Sequence, residues 1–320
     1  MAERKMRIAV AGTNHLALLI ATFVTQYTSH QIIVLSRHAQ PQLTDENYQV
    51  MVVDYDSQES LQHAVMGIHT IISTVTGNAQ VALIQAAVAQ GVRRFAPAEF
   101  EGPLVARQAD DPLDASKSAT RDWLDHFRDR MASTVFTCGV LYERFAPWGL
   151  SSPHVRLCQE SEYGSEGDYL VNPRNLRANA PLYDHTGHEA TLCLTAAQDV
   201  AYLVVRALDM KSWPRELTMA GEHMTVAELL ATILRVRGRP TLHLESRTPT
   251  YNELTHELHN AMIAGDEGQQ LRARELIATA NRRYVFPPPG TLRDLNRSYT
   301  MIRFEDWLRH NWAPHAVLDD

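Results

Sequence analysis

Along the first 140 residues, short apolar runs alternate with longer stretches of helical spacing. RIAVAG (7–12) is an apolar run closed by glycine, and HLALLIATFVTQY (15–27) repeats apolar residues at helical intervals. QIIVLSR, VMVVDY, HTIISTVT and VRRFAP are further runs of the first kind, and STVFTCGVL gives a sixth strand. Between them, SQESLQHAVMG opens on Ser57, a good N-cap, with Glu59 in its first turn. NAQVALIQAAVAQG opens at Asn78 and stops at Gly91, and DASKSATRDWLDHFRDRM precedes the sixth run. Continuous apolar runs are strands buried on both faces, and their alternation with helices predicts an α/β fold, a doubly wound parallel Rossmann sheet. The handedness of crossovers narrows the strand order to 3-2-1-4-5-6, with a crevice at the reversal beside the first strand.

After about Gly149 the pattern weakens into a polar, turn-rich stretch. AAQDVAYLVVRALDM and MTVAELLATILRVRG then read as helices, the second capped by Thr225. A long helical segment follows with a break near Gly265, then PPPG, then the short helix RFEDWLRHNWAP. The expected organisation is a dinucleotide-binding domain over 1–150, to which elements near 195–225 return. A smaller, interleaved substrate or lid domain occupies 151–320.

Bulk properties exclude some classes. The 320 residues are 45% hydrophobic with a net charge of -7, and no long basic tract occurs, so nucleic acid is not an expected partner. Cys138, Cys158 and Cys193 are far apart and odd in number, which suits a reducing, cytoplasmic setting and gives no metal spacing. No apolar run approaches a membrane span. MAERKMR at the start is basic, but the apolar run after it is interrupted by Asn14 and His15 and reads as a buried strand rather than a leader.

The turn after the first strand carries the candidate chemistry. A pyrophosphate needs backbone N–H groups at a helix N-terminus and no bulky side chain in its way. Gly12 supplies the tight turn, and Thr13, Asn14, His15, Leu16 and Ala17 complete the loop. Asn14 stands where a second glycine is usual and tolerates positive φ better than other non-glycine residues; Ala17 stands at the third, where packing asks only for a small side chain. An ordinary strand–helix turn is the competing reading. At the end of the second strand, an acid would favour NAD, whereas Ser36 and Arg37 stand here. A planar, always charged guanidinium suits a 2′-phosphate and implies NADP(H), against the alternative of a solvated surface arginine. Asp54 and Tyr55 end the third strand and Ser73, Thr74 and Val75 the fourth; they either line the cofactor or simply terminate strands.

Gly12, LSR, RRFAPAEFEGP, DASKSATRDWL and TVFTCGVLYERFAP, taken in order, resemble the NmrA-like and isoflavone-reductase-like proteins, which are atypical short-chain dehydrogenases. The resemblance covers about residues 6–240, and fungal members are closest in texture. It implies a Rossmann domain, NADP binding and a small C-terminal substrate domain. Its enzymes reduce phenylpropanoid-type or other secondary metabolites, while its founding regulator binds dinucleotides without known chemistry.

Typical short-chain dehydrogenases place a tyrosine four residues before a lysine; here Leu113 occupies that position before Lys117. In the reductase branch the lysine alone is the general acid–base or carbonyl polariser, and Lys117 matches it. The positive end of a helix and an oxidised nicotinamide would favour a neutral amine able to exchange a proton with substrate. As a cation it would instead orient the nicotinamide ribose, and a solvent-facing lysine paired with Asp110, Asp111 or Asp114 is the plain alternative. Tyr142 is a candidate substitute proton donor, or a packed aromatic, and it or Trp148 would close the substrate pocket. Glu99 and Phe100 read as pocket wall and loop structure. His256 and His259, and His185 and His188, lack a third metal ligand; His154, His185 and Tyr183 are candidates for lining the substrate cavity.

The expected function is therefore an NADPH-dependent reductase of a small apolar, aromatic or polyketide-like metabolite, acting as a monomer or homodimer. A dinucleotide-sensing regulator without turnover, and a non-redox isomerase or cyclase on the same fold, are the alternatives.

Overall fold

In the computed structural model, residues 5–107, 111–151, 164–287 and 299–312 are described. The chain forms two compact units. The first comprises Met1–Phe100, Ala109–Thr137 and Val200–Leu217, and the second Glu101–Gln108, Cys138–Asp199 and Thr218–Asp320.

In the first unit β1 (Arg7–Ala11) runs into α1 (His15–Tyr27) and β2 (Gln31–Ser36) into a short α2 (Pro41–Asp45). β3 (Gln49–Val52) leads to α3 (Gln58–Ala64), and β4 (Thr70–Ser73) to α4 (Asn78–Ala89). β5 (Arg94–Ala96) is followed by α5 (Ala115–His126) and β6 (Ala132–Ser133). The six strands form one sheet in the order β3-β2-β1-β4-β5-β6, every pair parallel, as the alternating runs predict. Ala9 lies opposite Ile33 on one side and Ile71 on the other. Ile8, Val10, Ile33, Val34, Ile71 and Ile72 are all buried, because helices cover both faces. Full burial of such side chains contributes about 1.5–3 kcal/mol each, before the entropy of ordering the chain is counted.

Local signals set the helix ends. Ser57 Oγ accepts the N–H of Ser60 and starts α3. Gly91, at φ +70, follows α4. The short α2 has Pro41 at its first position and no buried residue; its sequence has no apolar stripe to announce it.

The sixth apolar run is not one strand. β6 pairs with β5, and β7 (Val135–Thr137) leaves that sheet. β8 (Val140–Leu141) belongs to the second unit. The break has a backbone cause. The amides of Cys138 and Gly139 both donate to the Glu101 carbonyl, at 3.0 and 3.1 Å, instead of to a ladder. Gly139 sits at φ +71, and a Cβ there would fall 2.1 Å from the Cys193 carbonyl oxygen. Glycine inside an apolar run marks such a close approach.

The second unit continues with the hairpin β9 (Leu170–Val171) and β10 (Ala178–Asn179), then β11 (Thr191–Thr195). α6 (Ala197–Ala207) passes from the second unit to the first, where β12 (Glu216–Thr218) pairs with β7. β13 (Glu222–Thr225) is antiparallel to β11, and β11 is parallel to β8. α7 (Val226–Val236), α8 (Tyr251–Ala264), α9 (Glu267–Ala280) and α10 (Phe304–Asn311) complete it. Thr225 starts α7 through a capping box with Glu228, and Thr250 with Glu253 starts α8 in the same way. Gly265, left-handed at φ +68, ends α8 and makes the break before α9. No helix among the described residues is long and apolar enough to cross a membrane.

Candidate functional site: the carboxyl edge of the parallel sheet

A parallel sheet whose order reverses between β1 and β4 opens at that point, on the edge where its strands end. Gly12 lies there. Its φ of +111 is accessible to glycine, and a Cβ on it would fall 2.2 Å from Thr74 Oγ1. Its N–H donates to the Leu35 carbonyl at 2.9 Å. Thr74 in turn donates through both N–H and hydroxyl to the Ala11 carbonyl, at 2.8 and 2.9 Å. These contacts tie the ends of β1, β2 and β4 together at the turn.

Asn14 departs from expectation. It does not replace glycine by taking up positive φ: it is extended, at φ -71 and ψ 169. It is the N-cap of α1, and its Oδ1 accepts the N–H of Ala17 at 2.9 Å. One first-turn amide is thereby satisfied within the protein. The N–H groups of His15 and Leu16 precede it on the same positive helix end, and no acidic side chain lies in the first turn to neutralise that end. Thr13 and His15 are half-buried, whereas Leu16 and Ala17 are buried, Ala17 fully. The third loop position thus asks for smallness, as the sequence suggests. Polarity and backbone here fit an anionic diphosphate held by amides.

The next strand ends contribute unequally. Ser36 is buried, and its Oγ accepts from His38 N and Gln40 Nε2, both at 3.2 Å. Arg37 is exposed. Tyr55 is 7% exposed, and its buried hydroxyl has no hydrogen-bond partner among the described residues. Burial pushes that phenol up to about 12, with the Arg37 charge acting in the opposite direction. An orphaned donor beside an exposed guanidinium suits a phosphorylated ligand at the β2 and β3 ends. Asp54, by contrast, is exposed and folded into a turn, accepting from Asp56 N at 2.9 Å. Ser73 donates to the Val75 carbonyl at 3.0 Å, and Val75 N returns a bond to Ser73 Oγ. The hydroxyls of Ser73 and Thr74 therefore close the turn.

Lys117 lies in the first turn of α5, its N–H bonded to the Asp114 carbonyl at 2.9 Å, and its side chain is half-buried. α5 precedes a strand parallel to β5, so this turn belongs to the same edge of the sheet. Asp114 occupies the N-cap position but makes no side-chain cap. Arg121 binds its carboxylate with both Nη1 and Nη2, and Nη1 also donates to Glu99 Oε2 at 2.6 Å. Glu99 is fully buried. One guanidinium thus joins the loop after β5 to the turn carrying Lys117. Glu99 is thus an ion-pair partner as well as part of the loop after β5. Asp114, Lys117 and Arg121 stand at i, i+3 and i+7, one face of a helix, which was the available signal. Asp110 lies outside the described residues.

Tyr142 does not serve as an open proton donor. It is fully buried against Phe304 and Trp307, and its hydroxyl donates to the Ile302 carbonyl at 3.1 Å. Burial and the nearby Glu222, Asp199 and Glu143 push its phenol far above the ordinary range. The packed-aromatic reading is the one this geometry favours. Trp148 is 58% exposed, with Arg174 over its ring at 5.3 Å.

Tyr183 and His185 line a cavity of about 290 Å³ in the second unit, with Tyr251 among its walls. His154 and Cys158 lie outside the described residues. His188 bonds Thr186, and His256 bonds Asn260. No metal-binding cluster of three or more His, Cys, Asp or Glu stands among the described residues.

Residues 4–262 match the NmrA-like family. The chain belongs to that family. NmrA-like membership agrees with the strand order and the glycine turn. No match was found among curated proteins. The fold is shared with the triphenylmethane reductase of Citrobacter sp., solved with NADP(H), at TM-score 0.67 and 16% identity over 95% of this chain and 99% of that one. An NADPH-dependent quinone oxidoreductase of Escherichia coli gives TM-score 0.69 at 15% identity, covering 95% and 98%. The leucoanthocyanidin reductase of Vitis vinifera gives 0.67 at 16%, covering 94% and 97%.

Proposed function

We propose that this NmrA-like protein is an NADPH-dependent reductase of a small, apolar, aromatic or polyketide-like metabolite, working in the cytoplasm. The observation that carries the reading is the acid-free N-terminus of α1 at the strand-order switch, reached through a glycine that both its backbone conformation and the closeness of Thr74 require. The solved proteins of the same fold whose descriptions name NADP(H) or NADPH add support.

Gly12, Thr13, His15 and Leu16 would hold the diphosphate, with Asn14 and Ala17 shaping the turn. Arg37, assisted by Tyr55, would hold the 2′-phosphate. Bound NADPH would supply hydride. Lys117 would hold a proton at the substrate oxygen or fix the nicotinamide ribose, and the Arg121 clamp would keep its helix turn in place. The buried free thiols Cys138 and Cys193 suit a reducing compartment.

The test is NADPH consumption with quinone, enone and aromatic carbonyl substrates, run for the wild type and for Lys117→Ala. Turnover reduced at least tenfold by Lys117→Ala supports the reading. Tight NADPH binding with no turnover of any substrate favours the dinucleotide-sensing regulator, for which the spent hydroxyls of Ser73, Thr74 and Tyr142 speak.

A further inference from the structure

The second unit contains a cluster of carboxylates, Glu143 and Asp199 buried and Glu222 half-buried, that the proposed reaction does not use. They hold one segment, residues 299–312. Asp199, near the start of α6, accepts from Tyr299 Oη at 2.6 Å and from Ile302 N at 2.9 Å. Glu222, at the start of β13, accepts from Phe304 N at 2.9 Å. Tyr142 donates to the Ile302 carbonyl, and Phe304 and Trp307 pack on its ring. Glu143 takes the Ala197 amide on both oxygens, at 3.1 Å each, and a bond from the Trp307 side chain. Trp312 donates to the Phe145 carbonyl at 2.8 Å.

We propose that residues 299–312 form a pH-sensitive strap, held firmly while Glu143 and Asp199 are neutral and loosened when both ionise. Asp199 is fully buried and Glu143 is 5% exposed. The ionisable groups facing them among the described residues are Tyr142, Glu222 and Tyr299, with Arg303 at 4.0 Å from Glu222 and largely in solvent. Arg303 thus meets Glu222 from the surface, and among the described residues the causes acting on Glu143 and Asp199 include no positive side chain.

Burial pushes Glu143 up to about 7 and Asp199 up to about 6, with the amide, phenol and indole donors only partly offsetting it. The sign follows from linkage. A carboxyl whose folded value lies above its unfolded one binds protons more tightly when folded, so raising the pH weakens the fold. The loss begins near the ordinary carboxyl range of about 4, and is complete once pH passes about 7. The start of the strap takes its bonds from Asp199 directly, so opening it returns that carboxyl to water, and a local opening of this kind costs less than global unfolding.

The test is hydrogen exchange of the Ile302 and Phe304 amides in the full chain at pH 5.5 and 8, corrected for intrinsic exchange. Protection should fall roughly tenfold or more from pH 5.5 to 8. Glu143→Gln, which keeps an acceptor oxygen for the Ala197 amide, should flatten that dependence. Tyr299→Phe should lower protection at both pH values and leave the dependence intact. Equal protection at pH 5.5 and 8 in the wild type, or an unchanged dependence in Glu143→Gln, overturns the proposal. Asp199→Asn serves as a second charge-removing variant with the same two readings. None of these outcomes depends on whether the protein turns over a substrate.

Discussion

Asn14 Oδ1 accepts the N–H of Ala17 at 2.9 Å, so the side chain standing where glycine is usual in a phosphate loop closes one amide of the helix it starts. The loop keeps its helix well capped and offers a ligand fewer free amides than a glycine-rich one would. Asn14→Ala should therefore destabilise the protein by about 1 kcal/mol, the ordinary worth of an N-cap. Asn14→Gly should cost only a few tenths of a kcal/mol and release the Ala17 amide. The check is denaturant unfolding of both variants alongside NADPH titration, in which Asn14→Gly binds more tightly than wild type.

Gly12 allows a different prediction, because a side chain there meets backbone strain and a close neighbour together. A Cβ at this position meets Thr74 Oγ1 at 2.2 Å in a backbone conformation of φ +111. Gly12→Ala should cost about 1–3 kcal/mol from backbone strain alone, with displacement of the β4 end in addition. Thermal unfolding and a loss of NADPH binding measured on the folded fraction would show it.

Arg37 is exposed, so its removal should leave stability within about 0.5 kcal/mol of wild type. Its effect should appear in coenzyme choice. Arg37→Ala should weaken NADPH by roughly ten- to a hundredfold, the worth of a charged hydrogen bond of about 1.5–3 kcal/mol, and leave NADH nearly unchanged. Tyr55→Phe should act in the same direction and less strongly. Equal losses for both coenzymes in paired titrations would remove the assigned role.

The Arg121 clamp is a stability element as well as a positioning one. Removing the guanidinium takes from Glu99, fully buried, and from Asp114, 3% exposed, the ion pair each makes with it. Breaking a buried ion pair costs about 3–5 kcal/mol, and the 17% exposure of the Arg121 side chain places this one toward the lower end. Arg121→Gln should therefore unfold at markedly lower denaturant than wild type, while Arg121→Gln combined with Glu99→Gln and Asp114→Asn should recover much of the loss.

The sheet was legible because its information is local. Each run from RIAVAG to VRRFAP is apolar throughout, and a parallel order follows from crossover handedness. Ser57, Thr225 and Gly265 announced their helix ends for the same reason. What failed to show is non-local. Nothing in STVFTCGVL says that the Gly139 backbone must pass within a Cβ of Cys193, and so by its pattern the run reads as one strand. The role of Asn14 turned on one dihedral angle. Glu99 and Arg121 are 22 residues apart, and only the fold brings them together. Tyr142 carries the right chemistry for a proton donor, but its hydroxyl is spent on a carbonyl 160 residues away.

The central claim is that the amides opening α1 and the Arg37 guanidinium hold NADPH. Isothermal titration of the full chain with NADPH, NADH and inorganic phosphate tests it most directly. Saturable one-to-one binding of NADPH, at least tenfold tighter than NADH and competed by excess phosphate, is the expected result. No heat with either dinucleotide from a folded protein would contradict it.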